Sequence, residues 1–228
     1  MKLAYVVIWC LLSPALFASS IAVKTAHCES GNYSYHLFAP APSTVSPAIL
    51  LLHGAGDDAG NFIHAWTGLA KKENVVLIAP QLDRNPKFED VALPAFRCII
   101  GDAAKFASID PKRIYIFGHS AGGYLAYDGA TLDSQFYAAV AVHAMEINSD
   151  YTGIVSKAKR KTPIAIYIGD RDEFFSLERV RKTRDLLSNA GFPVHYVELK
   201  KHGHDYYYLS DQINLDAWNF LKDKQLPQ

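Results

Sequence analysis

The sequence lacks a net charge: 23 lysines and arginines face 23 aspartates and glutamates in 228 residues. A nucleic-acid footprint needs a basic face, so that class of partner is excluded. A balanced chain also gives no long-range steering of a charged ligand, which favours a weakly charged or neutral substrate. Metal-ligand patterns are missing as well. There is no Cys-x-x-Cys and no His-Glu-x-x-His, and His202 and His204 stand without a third ligand. The sequence therefore implies no metal and no cofactor. Repeats and long low-complexity runs are absent, and the proline-rich "APAPSTVSP" at Ala39–Pro47 reads as a connector within one domain.

Cysteine is scarce, with three in all. Cys10 lies in an N-terminal stretch where Lys2 precedes an apolar run from Leu3 to Leu12 and Pro14 breaks it. The small residues Ala18-Ser19-Ser20 and Ser20-Ile21-Ala22 follow. That layout is an export leader over residues 1–22, cut near 20 or 22, and predicts a secreted or periplasmic protein. An uncleaved anchor is the alternative, but the run is short for a bilayer. Residues 23–228 then form a single domain with a sizeable core and no membrane attachment. Two cysteines remain, Cys28 and Cys98. An oxidising compartment permits one bridge between them; two unpaired thiols, with Cys98 as a small apolar helix residue, is the other reading.

What is present is alternation. Apolar runs occur at Ala48–His53, Val75–Pro80, Arg113–Gly118, Tyr137–His143, Ile164–Gly169 and Val194–Leu199. Runs apolar on both faces mark strands covered by helices on both sides. Helix-like stretches lie between and after them, at Asn61–Lys72, Glu89–Ala107, Ala121–Leu132, Leu177–Ala190 and Leu209–Lys222. The order predicts an α/β fold, a mostly parallel doubly wound sheet, with an antiparallel edge strand near Tyr33–Phe38. Ligands on such sheets bind outside the carboxyl ends of the strands, so the residues just after each run carry the interest.

One of these ends is Gly118-His119-Ser120-Ala121-Gly122, a Gly-x-Ser-x-Gly pattern between an apolar strand and a helix-forming stretch. A serine on so sharp a turn sits in strained backbone, and the positions two before and two after it have no room for side chains. The turn exposes the hydroxyl at a helix N-terminus, where negative charge is favoured. A serine needs a base to become a nucleophile. His204 follows the last apolar run and is preferred to His202, because Gly203 lets the loop swing back over the sheet edge. His119 reads as a packing or pocket residue and His53 as a brace for its own loop. The base needs an orienting carboxylate. Asp172 stands far enough past Gly169 to serve, Asp170 reads as bonding its own turn, and Glu146 is the outside candidate. The oxyanion donors expected are the amides of Ala121 and Ala55, with Gly56 as the second candidate after Ala55.

The order Ser120, Asp172, His204 and the segments "LLHGAGDDAGNF", "FGHSAGG", "IGDRDEFF" and "HGHDYY" resemble the α/β-hydrolase superfamily over nearly all of the mature chain. In detail the chain is similar to small esterases of the polyhydroxybutyrate-depolymerase-like, feruloyl-esterase-like and phospholipase/carboxylesterase-like groups. The resemblance implies a serine esterase whose triad is Ser120, Asp172 and His204, acting on a small-molecule or polymer-linked ester. About twenty residues separate the runs ending at His143 and starting at Ile164, which leaves no room for a large cap. Phe174, Phe175 and Tyr206–Tyr208 flank the acid and base, either as an aryl-tolerant rim or as core and edge packing. A peptidase or thioesterase would use the same machinery. Two further classes compete: a hydrolase-like binding protein without activity, and a dinucleotide-binding protein. For the latter the glycines at 54, 56 and 60 are spaced one residue too wide.

Overall fold

A computed structural model describes residues 20–41, 43–82 and 86–227. Residues 1–19, the bulk of the expected export leader, lie outside the described residues. The core is one eight-stranded sheet. Its strands are β1 (Ala22–Cys28), β2 (Gly31–Phe38), β3 (Ser46–Leu52), β4 (Val76–Pro80), β5 (Ile109–His119), β6 (Ala139–His143), β7 (Ile164–Gly169) and β8 (Val194–Leu199). They lie side by side in the order β1-β2-β4-β3-β5-β6-β7-β8. From β4 through β8 every pairing is parallel, and β2 runs antiparallel to both β1 and β4. The fold is the expected α/β-hydrolase class. One detail differs: β2 is not the edge. It is covered by β1, whose residues alternate between outward and inward and so present no continuous apolar run.

Seven α-helices cover the sheet among the described residues. On one face pack α3 (Pro86–Ala103), α4 (Ala121–Thr131), α5 (Thr152–Lys157) and α6 (Leu177–Asn189). On the other pack α1 (Ala59–His64), α2 (Thr67–Glu73) and α7 (Ser210–Leu221). The two cores divide each central strand by its period of two: Leu50 and Leu52 face the first layer, Ile49 and Leu51 the second. All seven residues of β3 are buried, as a strand sandwiched between helices requires. Local chemistry sets the helix ends. Asp58 caps α1 by accepting the Asn61 amide, and Ser176 caps α6 by accepting that of Arg179. Gly191, at φ 86°, turns the chain out of α6.

The single helix expected over Asn61–Lys72 is two. Asn214 on α7 donates to the Ala65 carbonyl, Thr67 donates its hydroxyl to the His64 carbonyl, and the Trp66 side chain is fully buried. These contacts redirect the chain between α1 and α2, a tertiary effect that overrides local propensity. The segment between β6 and β7 holds a 3-10 turn at Ser149–Tyr151 and the short α5, and no cap domain.

A disulfide joins Cys28 at the end of β1 to Cys98 in α3. It ties the antiparallel hairpin to the helical layer across 70 residues of sequence. Closing so long a loop removes freedom mainly from the unfolded chain and stabilises the fold by about 4 kcal/mol. The Cys28→Ser/Cys98→Ser double variant is therefore expected to unfold at a lower urea concentration. An unchanged midpoint would show that the staple contributes nothing.

Candidate active site

The turn between β5 and α4 is built by close approach. A Cβ at Gly122 would lie 2.1 Å from the Leu52 carbonyl oxygen, and one at Gly118 would lie 2.3 Å from that of Gly122. Both obstacles are backbone, so neither can yield cheaply. Gly122→Ala is expected to cost about 3 kcal/mol or more, read as a lowered urea midpoint; parental stability would contradict the contact. Between them Ser120 holds φ 51°, a left-handed angle that a residue with a side chain adopts only when its surroundings enforce it. Its amide donates to the His143 carbonyl at 3.0 Å, which fixes the turn against β6.

Three segments bring their side chains to this point. Nε2 of His204 lies 3.0 Å from Oγ of Ser120, and its Nδ1 lies 2.9 Å from Oδ2 of Asp172. The Asp172 side chain is fully buried. Its other oxygen, Oδ1, accepts the amides of Phe174 and Phe175, each at 2.9 Å. Burial alone would raise the carboxyl; the His204 ring and the two amides outweigh it and hold the group below the usual carboxylate range. Asp172 is thus a fixed anion at the Nδ1 of His204. The His204 backbone amide is also held, by Oε2 of Glu173 at 3.2 Å. An imidazole oriented in this way can take the proton of the hydroxyl and pass it to a leaving group.

The competing candidates are elsewhere. His202 turns away from Ser120, with its Nε2 3.1 Å from that of His143. Asp170 does not bond within its own turn; its Oδ1 accepts the Lys201 amide from the neighbouring loop at 2.6 Å. Glu146 pairs with Arg179. His53 braces its loop: Nδ1 donates to the Gly54 carbonyl at 2.9 Å while Nε2 accepts the Leu82 amide at 3.1 Å. Of the expected oxyanion donors, Ala121 begins α4 beside the serine and Ala55 lies exposed in the loop after β3. Among the described residues neither amide has a hydrogen-bond acceptor.

The aromatics divide. Tyr206 is core, packed on Phe62 and Phe117 and donating its hydroxyl to Asn214. Phe174, 62% exposed, stands edge-on 4.7 Å from the His204 ring, and Phe175 lies 5.7 Å from it. Tyr207 bonds Asp57 of the opposing loop, and Tyr208 is 75% exposed. His143, at one of the strand ends of interest, has no role assigned from the sequence. It ends an apolar run, as His119 nearly does, and that shared position was the available signal.

Known proteins resemble this chain in sequence and in fold. The model of the dienelactone hydrolase family matches residues 49–217. A bifunctional acetylxylan esterase/xylanase, XynS20E of Neocallimastix patriciarum, is 30% identical over 155 residues, covering 64% of this chain and 22% of that protein. The chain therefore spans about a fifth of the curated relative it matches. Among solved structures, a thermostable esterase superposes with a TM-score of 0.72 at 22% identity, covering 90% of this chain and 63% of its own. A ferulic acid esterase from Anaeromyces mucronatus, solved with ferulic acid, gives 0.71 at 12% identity over 93% of both chains. An S-formylglutathione hydrolase from Agrobacterium tumefaciens gives 0.69 at 16% identity, covering 92% of this chain and 97% of that one. At these identities the superpositions speak to the fold. The match over residues 49–217 takes in the Ser120 turn, Asp172 and His204, and the chain belongs to the dienelactone hydrolase family.

Proposed function

We propose that the protein is an exported serine hydrolase that cleaves carboxylic esters through an acyl-enzyme on Ser120. The observation that carries the reading is the continuous line from Asp172 through His204 to the Ser120 hydroxyl, with contacts of 2.9 and 3.0 Å. His204 takes the proton of Ser120 as Oγ attacks the ester carbonyl, and Asp172 steadies the imidazolium that forms. The amides of Ala121 and Ala55 receive the oxyanion. His204 then returns the proton to the leaving alcohol, and water releases the acid by the same steps in reverse order. The uncapped site suits small esters or acyl groups protruding from a polymer. Phe174 and Tyr208, exposed beside the base loop, suit an aryl or sugar face. The esterase names among the relatives support the reaction class, and the disulfide supports export.

Incubation with a fluorophosphonate, followed by peptide mapping, is expected to place the label on Ser120. Hydrolysis of acetyl, feruloyl and hydroxyalkanoate esters would then rank the acyl groups. An unlabelled Ser120, or no turnover of any ester, would remove the reading.

A further inference from the structure

Behind Ser120 and His204 three more imidazoles form a hydrogen-bonded line. His143, at the end of β6, is fully buried. Its Nδ1 lies 2.9 Å from Nδ1 of His119, and its Nε2 lies 3.1 Å from Nε2 of His202. His119 immediately precedes Ser120, and His202 sits two residues before His204. The sheet makes the first contact, because His119 and His143 are register partners on adjacent parallel strands. The His119 ring also lies 4.9 Å from that of His204, and Tyr206 packs 5.8 Å from His119 and 5.9 Å from His143. The line thus joins the loop carrying the base to the turn carrying the nucleophile.

A neutral imidazole has one donor and one acceptor, so His143 donates to one neighbour and accepts from the other. If it donated to His202, the proton of His202 would sit on Nδ1, which is buried and has no hydrogen-bond partner. A buried N–H without an acceptor is the rarer kind of orphan. In the opposite direction the buried, unpartnered Nδ1 of His202 carries a lone pair and not a proton: His202 donates through Nε2–H, and His143 donates through Nδ1–H to His119. His119 then keeps its proton on Nε2, at the ring edge facing Gly54 and Ser120. A Cβ at Gly54 would lie 3.3 Å from that nitrogen and 3.4 Å from Cβ of Ser120. The backbone is held hard at two of the three stations. Ala144, after His143, and Lys201, before His202, both carry positive φ, at 54° and 57°.

We propose that His143 is a positioning residue for the ester hydrolysis described above, binding the His204 loop to the Ser120 turn through His202 and His119 in a one-way line of donors. The role rests on that hydrolase reading. Burial first, then the neighbouring imidazoles, keeps His143 from taking a proton, and burial likewise holds His119 and His202 neutral. Against this, Asp205, Asp172 and Asp170 favour charge on His202, and the His143 backbone followed by Asp172 favours it on His119.

The native protein provides the first test. In 15N-imidazole NMR at neutral pH, His143 is expected as the Nδ1–H tautomer and His202 as Nε2–H. A doubly protonated His143, or one carrying its proton on Nε2, overturns the line. Kinetics provide the second. His143→Leu is expected to lose about 100-fold in kcat on p-nitrophenyl acetate with KM within about threefold, the scale of a small misplacement of reacting groups. Fluorophosphonate labelling of Ser120 should slow in step. His143→Gln, which can still donate and accept, should regain about tenfold. A folded His143→Leu with parental kcat overturns the role; if that variant does not fold, the NMR result decides. Full activity in Ser120→Ala would instead strike the hydrolase reading and leave the tautomer pattern standing.

Discussion

Ser120→Ala is expected to retain the fold and lose about four to six orders of magnitude in ester turnover. The hydroxyl is partly exposed and its recorded side-chain bond is to His204, so its removal leaves the packing of β5 and α4 intact. What disappears is the atom that would carry the acyl group. The residual rate would come from the Ala121 and Ala55 amides and from substrate binding, which still act on an attacking water. Turnover of p-nitrophenyl acetate beside far- and near-ultraviolet circular dichroism measures both halves of the expectation. Near-parental turnover in a folded variant would mean that the nucleophile is elsewhere.

A second large effect is expected on acidification. In the unfolded chain a histidine takes up its proton near pH 6.5. In the folded protein His119 resists until about 3, because it is buried and faces His204. Burial and the neighbouring imidazoles lower His143 as well, and burial lowers His202. The unfolded state therefore binds more protons than the folded one as pH falls through 6.5. The stabilisation is complete above that pH and is lost below it, until the folded groups themselves titrate. Below pH 6.5 His119 alone contributes a slope of about 1.4 kcal/mol per pH unit, and His143 and His202 act in the same direction. The carboxylates do not oppose the trend: Asp172, Asp102 and Asp110 are all lowered by the fold, and their stabilisation is lost only at still lower pH. The His119 share alone, about 1.4 kcal/mol, is a sizeable part of the stability of an ordinary domain. Acidification should therefore lower the melting temperature by about 4 °C or more between pH 7.5 and 5.5. A flat profile over that range would show that the folded cluster accepts protons freely.

The strands were legible where burial on both faces leaves a continuous apolar run. β7 and β8 have the expected bounds, and β3 and β4 differ by a residue or two. β1 was not legible because "AVKTAHC" alternates, and the leader reading absorbed its first residue. The break between α1 and α2 depends on Asn214, some 150 residues away, and no local pattern announces it. At the site, the three candidate groups could be picked out because each follows a strand end and is chemically distinctive. Gly203 was enough to favour His204 over His202. The role of His143 was not readable, because it depends on the register that sets His119 beside it and on a loop arriving after β8.

The sequence separation of 84 from Ser120 to His204 also bears on synthesis. At about 5–20 residues per second, a ribosome needs roughly 4–17 s to extend the chain from one to the other. Throughout that interval the nascent polypeptide holds the Ser120 hydroxyl without His204. On the hydrolase reading proposed above, reactivity toward esters or electrophiles would begin only once the loop after β8 delivers His204, so the order of synthesis would itself keep the immature chain inert.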